Sequence, residues 1–169
     1  MFNSMELFRW RNESKKYTKI ELVPDIIIDF DEWEKHSEIY SVIEKAVEQT
    51  LIYVNNTQYD ELSILLTSNK NINALNKKFR NIDKATNILS FKSEEPHLGD
   101  IVLSYEYISD ELVQQRKNLD EHLSHLIIHG ILHLLDFDHD NDTNTIEMEE
   151  IEINIMSNLG YKNPYLLHK

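Results

Sequence analysis

One eleven-residue stretch, His129-Gly-Ile-Leu-His-Leu-Leu-Asp-Phe-Asp-His139, leaves its surroundings little freedom in how they fold. His129 and His133 are four apart among Leu and Ile, so on a helix they stand one above the other on one face. Buried imidazoles need hydrogen-bond partners, and aliphatic neighbours supply none. A shared metal ion resolves that conflict. His139 follows six residues later, so the helix must stop near Leu135 and the chain turn back for a third imidazole to reach the same point. Three neutral nitrogens leave one tetrahedral position for water, the arrangement of catalytic rather than structural zinc. Bound zinc brings the pKa of that water to about 7. The stretch predicts a helix, a turn, one Zn2+ held by His129, His133 and His139, and a zinc-bound water as a reacting group.

The neighbours receive lesser roles. His125, four before His129, is expected to support the ligands or the structure, and His122 to face solvent. Asp138 is expected to orient a ligand imidazole or cap the turn, as carboxylates beside metal ligands often do. The His-x3-His-x5-His spacing also occurs in zinc peptidases, where the Glu directly after the first His is the general base. Here that position is Gly130, which argues against proteolysis.

The absence of cysteine excludes disulfides and thiolate metal sites and fits a reducing compartment. With 41% hydrophobic and 28% charged residues, the composition is that of a soluble globular chain of one-domain length. No run of about 18 apolar residues occurs, and the first residues do not resemble a signal peptide, so the expectation is a cytoplasmic protein with no membrane partner. A net charge of −13 argues by itself against nucleic acid. The distribution reverses that argument locally. Thr67 to Lys92 carries six basic residues and one acidic one, whereas Ile101 to the end carries four basic and 13 acidic.

Residues 1–18 read as a basic extension and 19–169 as one domain. Ile20 to Asp29 is rich in β-branched residues and reads as a strand, with Pro24 at an edge or bend. Apolar spacing predicts a helix from Asp31 to Val54. A buried strand is expected over Glu61–Thr67, then a helix capped by Ser68 or Asn69 and running through Ile72, Leu75 and Phe79. Asn87–Phe91 and Asp100–Ser104 read as strands joined by Glu95–Gly99. Helices are expected from Ser109 to Asn118, from Asp120 to Leu135 and over 145–158, with Glu147, Glu149, Glu150 and Glu152 on a solvated face. Strands early and helices late predict an α+β fold: a small mixed sheet of about four strands packed by about five helices, the metal-bearing helix near the C-terminus.

Three blocks resemble the YbeY family of bacterial ribosomal-RNA maturation factors and endoribonucleases. His129 to His139 follows the family's H-G-x-L-H-L-x-G-[YF]-D-H in all but one fixed position. Leu75-Asn-Lys-Lys-Phe-Arg80-Asn-Ile-Asp83-Lys-Ala-Thr86-Asn-Ile-Leu-Ser-Phe91 follows L-N-x-x-[YF]-R-x-x-D-x-x-T-[DN]-V-L-S-F, and Leu98 to Ser104 follows L-G-D-I-x-[IL]-S. The blocks occur in order and cover about residues 60–155. Three positions depart: Asp136 and Asn81 replace glycines, and Lys92 stands where proline is common. Asp and Asn are the residues that best tolerate a left-handed turn position.

The resemblance implies zinc at His129, His133 and His139, an essential Arg80 near it, single-stranded RNA as substrate, and a role in small-subunit (16S) rRNA 3′-end maturation and ribosome quality control. The ribosome or its 30S subunit, with associated proteins, is the implied partner. A planar guanidinium suits Arg80 to bind the scissile phosphate bidentately. Lys77, Lys78, Lys84 and Lys92 are candidates for RNA binding, and Asp83 for tying down the Arg80 loop. Two alternatives stay open: an assembly factor whose metal is mainly structural, and a metzincin-like hydrolase lacking the usual Glu base.

Overall fold

The computed structural model describes residues 21–166; the expected 1–18 extension lies outside the described residues. Four strands form one mixed sheet: β1 (Asp25–Ile28), β2 (Glu61–Thr67), β3 (Ile88–Lys92) and β4 (His97–Ser104), in the order β1-β2-β4-β3. β1, β2 and β4 are parallel, and β3 pairs antiparallel with β4 at one edge, Ile88 opposite Leu103 and Lys92 opposite Gly99. The described residues form five α-helices, α1 (Ile39–Tyr53), α2 (Asn69–Arg80), α3 (Tyr105–Gln115), α4 (Leu119–Leu134) and α5 (Asp142–Asn158), the last packed on α4 and α1 rather than on the sheet. The expected α+β architecture stands, and none of the helices among the described residues is long and apolar enough to cross a membrane.

Alternation along the strands divides the interior into two layers. Leu62, Ile64, Leu66, Ile101 and Leu103 face α1 and α4, joining Ile43, Ala46, Val47, Leu123, Ile127 and Ile131 in the main core. Leu89 and Val102 face the other way, onto Ile72 of α2, with Leu65, Leu75 and Phe91 packed around them. A third cluster joins Ile128 and Leu132 of α4 to Met148, Ile155 and Met156 of α5. Helix α4 is therefore covered by the sheet, by α1 and by α5, which explains why it is apolar over most of its circumference.

Several boundaries differ from the sequence reading. The expected 31–54 helix is a short 3-10 turn, Asp31–Lys35, followed by α1. Trp33 anchors that turn: it is fully buried and donates its indole N–H to the Thr67 carbonyl at 3.0 Å. The helix expected from Ser109 begins instead at Tyr105, directly after β4, and ends at Gln115. Ser109, the expected first residue, sits inside it and donates its hydroxyl to the Tyr105 carbonyl at 2.8 Å, a back-bonded interior serine. β4 begins at His97, three residues before its expected start, which shortens the connection from β3.

Candidate metal centre

Helix α4 is built to present a row of imidazoles. Asn118 caps it by accepting the Glu121 N–H at 2.8 Å, with Asp120 and Glu121 in the first turn. Gly130 sets its height above the sheet. A Cβ there would lie 2.9 Å from Ile88 Cδ1 and 3.1 Å from both Ile101 Cδ1 and Ser90 Oγ. The residue after the first histidine therefore faces the sheet, where a glutamate has no room.

The helix ends as the eleven-residue stretch requires. Asp136 takes the left-handed conformation, φ 67°. Its N–H donates to the His133 carbonyl, and the Phe137 N–H donates to the Leu132 carbonyl. This is a Schellman closure, with Phe137 packed into the cluster that contains Leu132. The reversal delivers His139 to the imidazole row. Asp138 holds the returning chain by accepting the His139 N–H at 2.7 Å, so it caps the turn and bonds backbone rather than imidazole.

The ligating nitrogens of His129, His133 and His139 lie within 4.8 Å of one another. The other ring atoms decide what those nitrogens can be. His133 Nδ1 is 3.1 Å from the Phe137 carbonyl, which can only accept, so Nδ1 carries the proton and Nε2 the lone pair. His129 Nδ1 is 2.7 Å from Glu152 Oε1, which sets the same tautomer. Burial, helped by the neighbouring His129 and His139, lowers the His133 pKa and keeps the ring neutral. With both rings neutral, the two Nε2 atoms oppose their lone pairs at 2.9 Å. That is unfavourable without a cation between them. Tetrahedral nitrogen ligands about 2.0–2.1 Å from a metal are about 3.3 Å apart, so a slight opening of the rings accepts one. The donor set fits a divalent ion such as zinc.

Glu152 corrects the expected solvated acidic face. It is 1% exposed and lies under the imidazole row. Burial alone would raise its pKa, but the imidazoles of His125 and His129 and the Tyr165 hydroxyl overturn this and hold it at about 2. Tyr165, from the segment after α5, donates to Glu152 Oε2. His125 stands 3.5 Å from the same carboxylate, outside the ligand group. The sequence carried a signal for Glu152: it falls four after Met148 and three before Ile155, on the buried stripe of α5. His122 is a second correction. It is buried rather than solvent-facing and bonds Glu111 at 2.7 Å; Glu111 in turn accepts from Asn87. That network joins α3, α4 and the start of β3 and has no ligand role.

The remaining candidates line the edge beyond β3. Arg80 ends α2, is exposed, and forms no ion pair among the described residues. Asn81 closes the helix in the left-handed conformation, φ 59°, donating to the Asn76 and Lys77 carbonyls. The following loop is tied twice: buried Asn76 donates to the Lys84 carbonyl at 2.8 Å, and Asp83 takes Lys77 at 2.7 Å and Asn73 at 3.1 Å. Asp83 thus ties down the Arg80 loop. Lys92 pairs with Asp136, so two of the three departures from the family pattern contact each other. Lys78 and Lys84 are exposed and unpaired with acids among the described residues.

Comparison with known proteins agrees with this geometry. Residues 24–160 match the family model described as endoribonuclease YbeY. An endoribonuclease YbeY of Bartonella bacilliformis is 39% identical over 150 residues, covering 83% of this chain and 95% of its relative. A Thermotoga maritima protein solved in solution superposes with a TM-score of 0.58 at 26% identity, covering 79% of this chain and 87% of that one. The chain, with its imidazole row, its Arg80 loop and its mixed sheet, belongs to the YbeY family.

Proposed function

We propose that this chain is a zinc-dependent endoribonuclease that cuts single-stranded RNA, acting in the cytoplasm on small-subunit rRNA 3′ ends and in ribosome quality control, with the 30S subunit as its partner. The observation that carries the catalytic part is the grouping of the three imidazoles, with the Nε2 atoms of His129 and His133 2.9 Å apart and each Nδ1 facing an acceptor. When bound, the metal supplies Lewis acidity and an activated water. His139 completes the ligand set. Glu152 and the Phe137 carbonyl hold the rings in register. Arg80, exposed and free of acidic partners among the described residues, binds the scissile phosphate and stabilises the charge that develops on it. Gly130 weighs against the peptidase alternative: the glutamate base of zinc peptidases is absent after His129, and a Cβ there would already meet Ile88, Ile101 and Ser90.

Purified protein incubated with a labelled small-subunit rRNA 3′ precursor tests this reading, with His133→Ala and a chelator-treated sample alongside. Cleavage by the untreated wild type alone supports it. Equal cleavage by all three removes the catalytic claim. RNA and zinc binding without cleavage favours the assembly-factor alternative.

A further inference from the structure

The basic segment also carries an unexplained aromatic. Phe79, the residue before Arg80 in the last turn of α2, is 58% exposed. Its ring centre lies 5.3 Å from that of Phe91 on β3, tilted by 60°. Phe91 is anchored in the layer of Ile72, Leu89 and Val102, so it is a rigid base for Phe79. Lys78 Nζ stands 5.0 Å from the Phe79 ring centre, and Ile82, 49% exposed, follows the helix cap. Of the six cations between Thr67 and Lys92, Lys77 and Lys92 are neutralised by Asp83 and Asp136. Lys70, Lys78, Arg80 and Lys84 have no acidic partner among the described residues, in a chain of net charge −13. An apolar ring left in water beside unpaired cations matches the two demands of a single-stranded nucleic acid, a stacking surface for the base and charge for its phosphates.

The edge strand links this patch to the metal centre. β3 presents Phe91 toward α2 and, one residue on, Lys92 toward Asp136 in the turn between His133 and His139. A strand of RNA crossing this edge passes from the aromatic patch toward the imidazole row.

We infer that Phe79, backed by Phe91, is a stacking platform for one unpaired base of the RNA substrate, with Lys78 and Arg80 holding the adjoining phosphates. This rests on the ribonuclease reading and adds a subsite to it. The test is fluorescence-anisotropy binding of a labelled oligouridylate with 2′-O-methyl riboses, beside an abasic chain of the same length. Wild type, Phe79→Ala, Phe79→Trp and Arg80→Ala are compared across a salt series. Phe79→Ala is expected to bind the oligouridylate about 10-fold more weakly with an unchanged salt slope, and Phe79→Trp to restore it. On the abasic chain wild type and Phe79→Ala should be equal, while Arg80→Ala lowers the salt slope by about 1 on both. Equal binding of the oligouridylate by wild type and Phe79→Ala overturns the platform, and so does an equal loss on both probes. If the wild type binds neither probe, the RNA reading itself fails. If it binds both and only the phosphate variant matters, the RNA reading stands without the platform.

Discussion

The imidazole row between α4 and α5 and the cationic edge along α2 and β3 meet opposite demands. In the row, polar atoms are committed before any ligand arrives: His129 to Glu152, His133 to Phe137, Glu152 also to Tyr165. At the edge, Arg80 and Lys84 are committed to nothing among the described residues, and only their loop backbone is fixed, through Asn76 and Asp83. A metal site is strong when its ligands are oriented in advance, because a misplaced lone pair loses a short coordinate bond. A polyanion tolerates flexible cations, because its attraction is long-ranged and multiple. Buried hydrogen bonds suit the first task and unpaired charge suits the second.

Breaking either region should therefore give distinct signatures. His133→Ala removes the central ligand; bound zinc measured by elemental analysis, and cleavage with it, should both fall to background. Arg80→Ala should leave zinc at one per chain and slow cleavage by about 10²–10³, the usual cost of losing one charge-stabilising group. Loss of zinc from Arg80→Ala would erase the distinction between the two regions. Glu152→Gln lies between them. It keeps shape and hydrogen-bonding capacity but weakens the hold on His129 Nδ1, and zinc affinity measured by chelator competition should drop about 10–100-fold.

Glu152 also predicts a pH signature in the metal-free protein. Its folded pKa, about 2, lies below the ordinary 4.5. The stability it contributes is complete above pH 4.5 and lost as pH falls toward 2. Glu152→Gln should flatten the acid limb of a denaturant-midpoint-versus-pH curve over that window. An unchanged limb would place the carboxylate's partners elsewhere.

The grouping of the three imidazoles was legible because metal chemistry imposes spacing: imidazoles at i and i+4 need a helix, and the third needs a turn that Asp136 tolerates. The strand Glu61–Thr67 and a cap at Ser68 or Asn69 were legible for similar local reasons, an apolar run ended by small polar residues, and the structure places the cap at Ser68. Glu152 lies on the apolar stripe of its helix, but the run of glutamates around it hides that position; His122 is buried only through Glu111, 11 residues away on another helix. The early start of α3 was missed because Tyr105 and Glu106 carry little intrinsic signal; Glu106 accepts the Asn69 N–H at 2.8 Å, a contact across 37 residues. Gly130 was noticed for the base it lacks, whereas its packing role appears only against Ile88 and Ile101. Gly130→Ala tests that role: the added methyl is overpacked, and unfolding free energy should fall by about 1–3 kcal/mol.

The smallest effect concerns the junction of the two regions, where Lys92 of β3 meets Asp136 of the histidine turn. The side chains are 44% and 73% exposed, so solvent and salt screen the pair. Asp136→Gly removes it and replaces a strained left-handed residue with the one that adopts φ 67° freely. The relief is worth about 1 kcal/mol. It is offset by roughly 0.4–1 kcal/mol from the greater freedom of glycine in the unfolded chain. The net change in stability should be close to zero at low salt, and zinc affinity should be preserved, because the Schellman bonds from positions 136 and 137 use backbone atoms. Thermal unfolding at low and high salt, with zinc titration beside it, checks this. A large loss of zinc affinity in Asp136→Gly would mean that the edge strand, through Lys92, holds the histidine turn in place, and the two regions would then have to be treated as one coupled unit.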